Sequence, residues 1–176
     1  MNRYVLGGVV VAGLSAGYGT ADHILRQPER SDRIITLFQE VCLTPSRPGD
    51  DALIAAYGLL PQHLDHASRR WIDPVSESFL SIKGRRCSIL THAPESLSRA
   101  EAEEIGNQVD ALVASTFPDL PFDPRAVFGD EALFRAWMTG ENNAPDRWGI
   151  WFYAYPDWGG SAGSNLSFTS PPKPEA

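Results

Sequence analysis

The chain has 176 residues, a formal net charge of −7, two cysteines and 43% hydrophobic residues. That length suits one domain able to bury a full core of its own. The acidic balance excludes a non-specific nucleic-acid binder and docking on anionic lipid by charge alone, and an aromatic content of 10% excludes a disordered chain.

Residues 1–21 read as an export signal. Arg3 precedes an apolar run over 5–14, and small residues follow, with Gly19 and Ala21 at the −3 and −1 positions of a cleavage site. The alternatives are a retained membrane anchor over residues 4–20 and an ordinary N-terminal strand or helix. As an anchor the stretch is short and glycine-rich for a span of about 20 residues, although Gly13 and Gly17 have the spacing of small-residue helix dimers. Cleavage removes Arg3 as its only charge, leaving about 155 residues at −8. Residues 31–170 then form a single domain, and 171–176 a loose tail.

Ser31 can cap a first helix whose apolar positions Ile34, Leu37, Phe38, Val41 and Cys42 follow the helical period until Thr44-Pro45. A second helix starts at Asp50 or Asp51 and closes at Gly58. Residues 60–70 show no period. Strand character begins at Trp71 and firms over 79–83; Gly84-Arg85 then turns the chain into a second strand over 86–91. Ser98 with Glu101 forms a capping box for the strongest helix, whose stripe is Ile105, Val109, Leu112, Val113 and Phe117, ended by Pro118. Leu133, Phe134, Trp137 and Met138 suggest a shorter helix stopping at Gly140. The aromatic stretch 148–155 is extended, and a Gly/Ser loop leads to a last strand over 166–169. The order α-α-β-β-α-α-β-β predicts an α+β fold: a small antiparallel sheet of two hairpins with helices packed on one face.

Cys42 and Cys87 are the only cysteines. In an exported protein such a pair is expected to bridge, closing a loop worth about 4 kcal/mol in the chain-entropy model. Two free buried thiols are the alternative; a catalytic pair would show Cys-x-x-Cys spacing. His63 and His66, with Asp65 between them, are weak metal candidates, because neither His23 nor His92 is brought near as a third ligand. A solvated loop explains them without a metal. Gly159 to Gly163 spell Gly-x-Ser-x-Gly, but a nucleophile elbow needs a helix after the serine and a later histidine, and neither follows. Glu101, Glu103 and Glu104 suit the positive end of a helix dipole. Asp119, Asp123 and Asp130 do not have calcium-loop spacing. No cofactor is implied.

The most unusual local feature is the cluster Trp148, Trp151, Phe152, Tyr153, Tyr155 and Trp158. On a strand, Trp148, Ile150 and Phe152 share one face, and Trp151, Tyr153 and Tyr155 share the other. One face must cover the helices. The second row is either covered by loops and cross-strand neighbours or offers a platform for a sugar ring, a peptide or a partner protein.

The segments Phe38-Gln39-Glu40-Val41-Cys42-Leu43, 51–58 and Arg86-Cys87-Ser88-Ile89 resemble a loose group of small exported bacterial proteins. In that group a helix bearing Phe-x-x-x-Cys-Leu precedes a short Ala-rich helix, and a second cysteine lies on a later strand. The resemblance covers residues 31–92. It implies export, a disulfide and an α+β layer, and carries no catalytic residues. Together these readings predict a non-enzymatic periplasmic or extracellular domain acting through a binding surface, with Trp148, Trp151, Tyr153, Tyr155 and Trp158 as its candidate residues. The partner would be a protein, peptide or glycan, not nucleic acid, with a membrane involved only if residues 4–20 stay as an anchor. The alternatives are an anchored accessory subunit of a membrane complex and a metal-dependent hydrolase using His63 and His66.

Overall fold

A computed structural model describes residues 29–44, 50–65, 67–124, 132–141 and 144–172. The proposed signal or anchor over residues 1–21, and the tail from Lys173 onward, lie outside the described residues. Among those described, no helix is long and apolar enough to cross a membrane.

Helix α1 (Arg30–Leu37) continues directly into a π-helical turn (Phe38–Cys42), α2 spans Asp51–Ala56, and α3 spans Arg99–Thr116. The strands are β1 (Leu60–Leu64), β2 (Arg69–Asp73), β3 (Ser78–Lys83), β4 (Arg86–His92), β5 (Leu133–Met138), β6 (Gly149–Tyr155) and β7 (Gly163–Thr169). They form one antiparallel sheet of seven strands in the order β1-β2-β3-β4-β7-β6-β5. The fold is α+β, but not two hairpins among four helices.

Two segments account for the difference. Residues 133–138, expected to be helical, form β5 and pair residue by residue with β6 from Leu133↔Ala154 to Met138↔Gly149. The aperiodic stretch 60–70 supplies β1 and the start of β2, paired across a register shift between Pro61 and His63. The remaining expectations stand closer to the structure. Ser98 caps α3 through the reciprocal bonds of a capping box. Asp50 caps α2 by accepting from the Ala52 amide, and Gly58 follows at φ 68°, a left-handed backbone that suits glycine. The first helix starts one residue before Ser31, with Glu29 as its N-cap.

The helices cover one face of the sheet. The π turn packs on β4 and β7, α3 on β5 and β6, and α1 on α3. The core between the layers is built from Leu37, Phe38, Val41, Ile105 and Val109 against Leu80, Ile89, Ile150, Phe152 and Leu166, all buried. Apolar burial at this density is the main favourable term of the fold. Cys42 and Cys87 form a disulfide, joining the end of the π turn to β4 across 45 positions of sequence. A buried ion pair joins the same layers at a second point. The Asp73 carboxylate, fully buried at the end of β2, accepts from Arg33 Nε and Nη2 at 3.0 Å each.

Candidate functional site

Strand alternation sends Ile150, Phe152 and Ala154 of β6 into the core and Trp151, Tyr153 and Tyr155 to the opposite face. The Trp151, Tyr153 and Tyr155 side chains are half-buried. Register extends this opposite face across the whole sheet. One row runs Leu60, Ile72, Phe79, Leu90, Asn165, Tyr153 and Phe134, one residue from each strand. The next runs Arg70, Ser81, Ser88, Ser167, Trp151 and Ala136. A third carries Lys83, Arg86, Thr169, Gly149 and Met138.

The middle row is low. Ser88 and Ser167 are buried and bond each other through their hydroxyls at 2.7 Å, and the Ser167 hydroxyl donates to Asn165 Oδ1 at 2.5 Å. Their hydrogen-bonding capacity is spent on one another, so these small side chains form a floor between taller rows. Trp151 stands at the end of that floor. Its indole Nε1 is buried without a hydrogen-bond partner among the described residues, and the Arg86 guanidinium lies 5.0 Å from the ring centroid, within cation–π range.

The aromatic row continues along β6 and beyond it. Ring centroids are 6.2 Å apart from Trp151 to Tyr153, 5.7 Å from Tyr153 to Tyr155 and 4.3 Å from Tyr155 to Trp158. Trp158 is 47% exposed. Desolvation, with the neighbouring Tyr153, raises the Tyr155 phenol above its ordinary value, so it remains a neutral donor across the physiological range. Trp148 lies apart from this row: it is half-buried against the core and packs edge-on to Phe117 at 6.3 Å.

The other candidates have local roles. His63 lies on β1 rather than on a helix, exposed, with its ring bonded to the Asp65 carboxylate at 2.8 Å; His66 lies outside the described residues. That bond, with two backbone amides, holds the Asp65 carboxyl below its ordinary value. Among the described residues no three His, Cys, Asp or Glu side chains gather as a metal site. Gly159–Ser161 is a single 3₁₀ turn between antiparallel strands, so Ser161 has no elbow helix behind it. Asp123 is buried and accepts from Arg147 Nη2 at 2.6 Å, and Asp130 lies outside the described residues. Glu101 closes the α3 capping box. Burial raises its carboxyl, but the Ser98 bonds and the Arg30 charge outweigh this and hold it low.

The sequence reading missed Arg70, Lys83 and Arg86. The signal was present in the hairpin, since a two-residue turn at Gly84-Arg85 forces Lys83 and Arg86 to be direct cross-strand neighbours. A small cleft of about 40 Å³ between α3 and β5, lined by Ala102, Gly106, Leu133 and Phe152 among others, is far below the size of a metabolite site. No family model, curated protein or solved structure matches this chain.

Proposed function

We propose that the protein is a non-enzymatic, exported binding domain that acts through the face of its sheet opposite the described helices. The observation that carries this reading is the row Trp151, Tyr153 and Tyr155, held half-buried on the side away from the helices and extended by Trp158. Aromatic side chains carried by a strand have a backbone already fixed and few rotatable bonds, so they cost little entropy to immobilise on binding. The Cys42–Cys87 disulfide suits an oxidising compartment, which is where an exported chain would work.

Two measurements test the proposal. Intact mass of the protein recovered from its source reports whether residues 1–21 have been removed; a retained leader would favour the anchored accessory subunit instead. Pull-down from envelope extract compares the unaltered protein with a Trp151→Ala/Tyr153→Ala variant. Loss of captured partners supports the aromatic face, and an unchanged set removes it from consideration.

A further inference from the structure

The cations of this chain are not evenly used. Arg30, Arg33, Arg69, Arg99, Arg135 and Arg147 each pair with a carboxylate. Arg85 donates to the carbonyls of Ser170, Pro145 and Arg147. Among the described residues, that leaves Arg70, Lys83 and Arg86 without a carboxylate, and all three are exposed on the face opposite the described helices. Asp73 is the only carboxylate on any of the seven strands, and it points to the helix side.

Lys83 and Arg86 stand together. They flank the Gly84-Arg85 turn and are directly opposite each other in the β3–β4 register. Side chains so placed start about 5 Å apart, and like charges there are destabilising. The row offers no relief, since it continues from Arg86 to Thr169 on β7 and Gly149 on β6. Arg86 lies 5.0 Å from the Trp151 ring centroid, a contact that steadies the guanidinium without cancelling its charge. A short hydroxyl followed by a missing side chain leaves space beside the two cations. Lys83, Arg85, Arg86 and Thr169 line an open depression there of about 380 Å³, and no carboxylate is among its walls. A local rule broken without compensation inside the fold is expected at a functional position.

We infer that this depression takes the dianionic phosphoryl group of a phosphate monoester, held between the Lys83 ammonium and the Arg86 guanidinium with the Thr169 hydroxyl beside it. The inference rests on the reading of this sheet face as the binding surface, and it uses no ring face of the aromatic row. A phosphate monoester carries a charge of about −1.5 to −2 at neutral pH, so one group answers both cations. A carboxylate or a phosphodiester, with a single charge, leaves half of the repulsion in place. The guanidinium fork matches two phosphate oxygens, while the ammonium acts as a compact point charge. The space suits the phosphoryl group and the part of a small molecule that carries it. The competing occupants fit less well. A second copy presented by the same face would oppose cation to cation. An acidic peptide added as a strand would pair at a sheet edge, β1 or β5, whereas Lys83 and Arg86 lie on β3 and β4 in the interior of the sheet. Single-stranded nucleic acid needs a cationic track along its phosphates, which three cations on an acidic protein do not supply.

The test is NMR titration of the whole protein with glycerol 3-phosphate, dimethyl phosphate and poly-L-glutamate at matched ionic strength. Glycerol 3-phosphate should give saturable shifts at the amides of Lys83, Gly84, Arg86 and Thr169, and dimethyl phosphate should bind at least tenfold more weakly. Lys83→Glu turns the repelling pair into an attracting one, so it should raise Tm and abolish the shifts. Lys83→Gln should weaken binding at least tenfold without lowering Tm. Co-sedimentation with phosphatidic acid or phosphatidylglycerol vesicles then assigns the source of the group. Retention on phosphatidic acid alone places it on a lipid, and binding of the free ester without retention places it on a soluble molecule. No saturable shift, equal affinity for dimethyl phosphate or poly-L-glutamate, equal retention on the two vesicles, or indifference to both Lys83 variants overturns the inference. If it is overturned while Trp151→Ala/Tyr153→Ala still loses partners in the envelope pull-down, the phosphoryl site falls and the binding face stands. If the ester binds and the pull-down is unchanged, the phosphoryl site stands and the aromatic row falls.

Discussion

Removing the Asp73 carboxylate should be among the most damaging single changes in this protein. Asp73 has no exposed surface, and five donor contacts converge on it. Arg33 gives two at 3.0 Å, the Ser76 hydroxyl one at 2.6 Å, and the Ser76 and Val75 amides lie at 3.2 and 3.4 Å. Asp73→Ala strips the counter-charge from an arginine that is itself only 14% exposed. Breaking a buried pair by deleting one partner costs about 3–5 kcal/mol, because the remaining charge is left uncompensated. In a chain of this size that lowers Tm by roughly 10 °C. Arg33 also donates to the Tyr57 carbonyl at 2.9 Å and lies over the Tyr57 ring, so the damage should spread from β2 to the end of α2. Thermal unfolding of Asp73→Ala, Arg33→Met and Asp73→Ala/Arg33→Met gives a double-mutant cycle. The double variant should be more stable than the sum of the single losses predicts, since it leaves no buried charge. A Tm within about 2 °C of the unaltered protein for Asp73→Ala, or strict additivity in the cycle, would refute the reasoning.

Other outcomes follow from the same contacts. Cys42→Ser/Cys87→Ser should cost about 4 kcal/mol through the freed 45-position loop; urea unfolding of that variant should match the reduced protein, and a midpoint equal to that of the oxidised protein would count against the bridge as a stabiliser. Burial raises the Asp73 carboxyl, but Arg33 and Ser76 more than offset it and set its folded pKa below the ordinary value. Its stabilisation is therefore complete above the unfolded pKa near 4 and is lost as pH falls through the lower folded value. Unfolding midpoints measured between pH 7 and 2 should fall on the acid side, less steeply in Asp73→Asn. Gly149→Ala would place a Cβ 2.1 Å from the Trp137 carbonyl oxygen at a φ of 146°, which should force β5 from β6 and cost at least about 2 kcal/mol by chemical denaturation.

Much of the helix side was legible in the residues. The α3 capping box, the β3–β4 hairpin and the Gly58 cap rest on short-range chemistry, in which neighbouring residues carry all the information, and the pairing of the two cysteines followed from there being only two. Alternation along residues 148–155 likewise separated Trp148, Ile150 and Phe152 from Trp151, Tyr153 and Tyr155 before any partner strand was known, and burial then put Ile150 and Phe152 in the core.

Tertiary structure decided the rest. Leu133, Phe134, Trp137 and Met138 fit a helical spacing, and only the ladder to β6 turns them into a strand, sending Leu133 toward the core row and Phe134 toward the aromatic one. Polar β1 has no alternation to read and becomes a strand by pairing with β2. The aromatic residues were visible as letters, but their cationic neighbours were not, because charge on a face is a property of register. Arg70, Lys83 and Arg86 lie on three different strands, β2, β3 and β4; strand pairing collects them on one surface and leaves Asp73, the one carboxylate on the strands, on the other. A local pattern can specify a helix or a hairpin, while a surface is assembled by contacts between residues far apart in the chain.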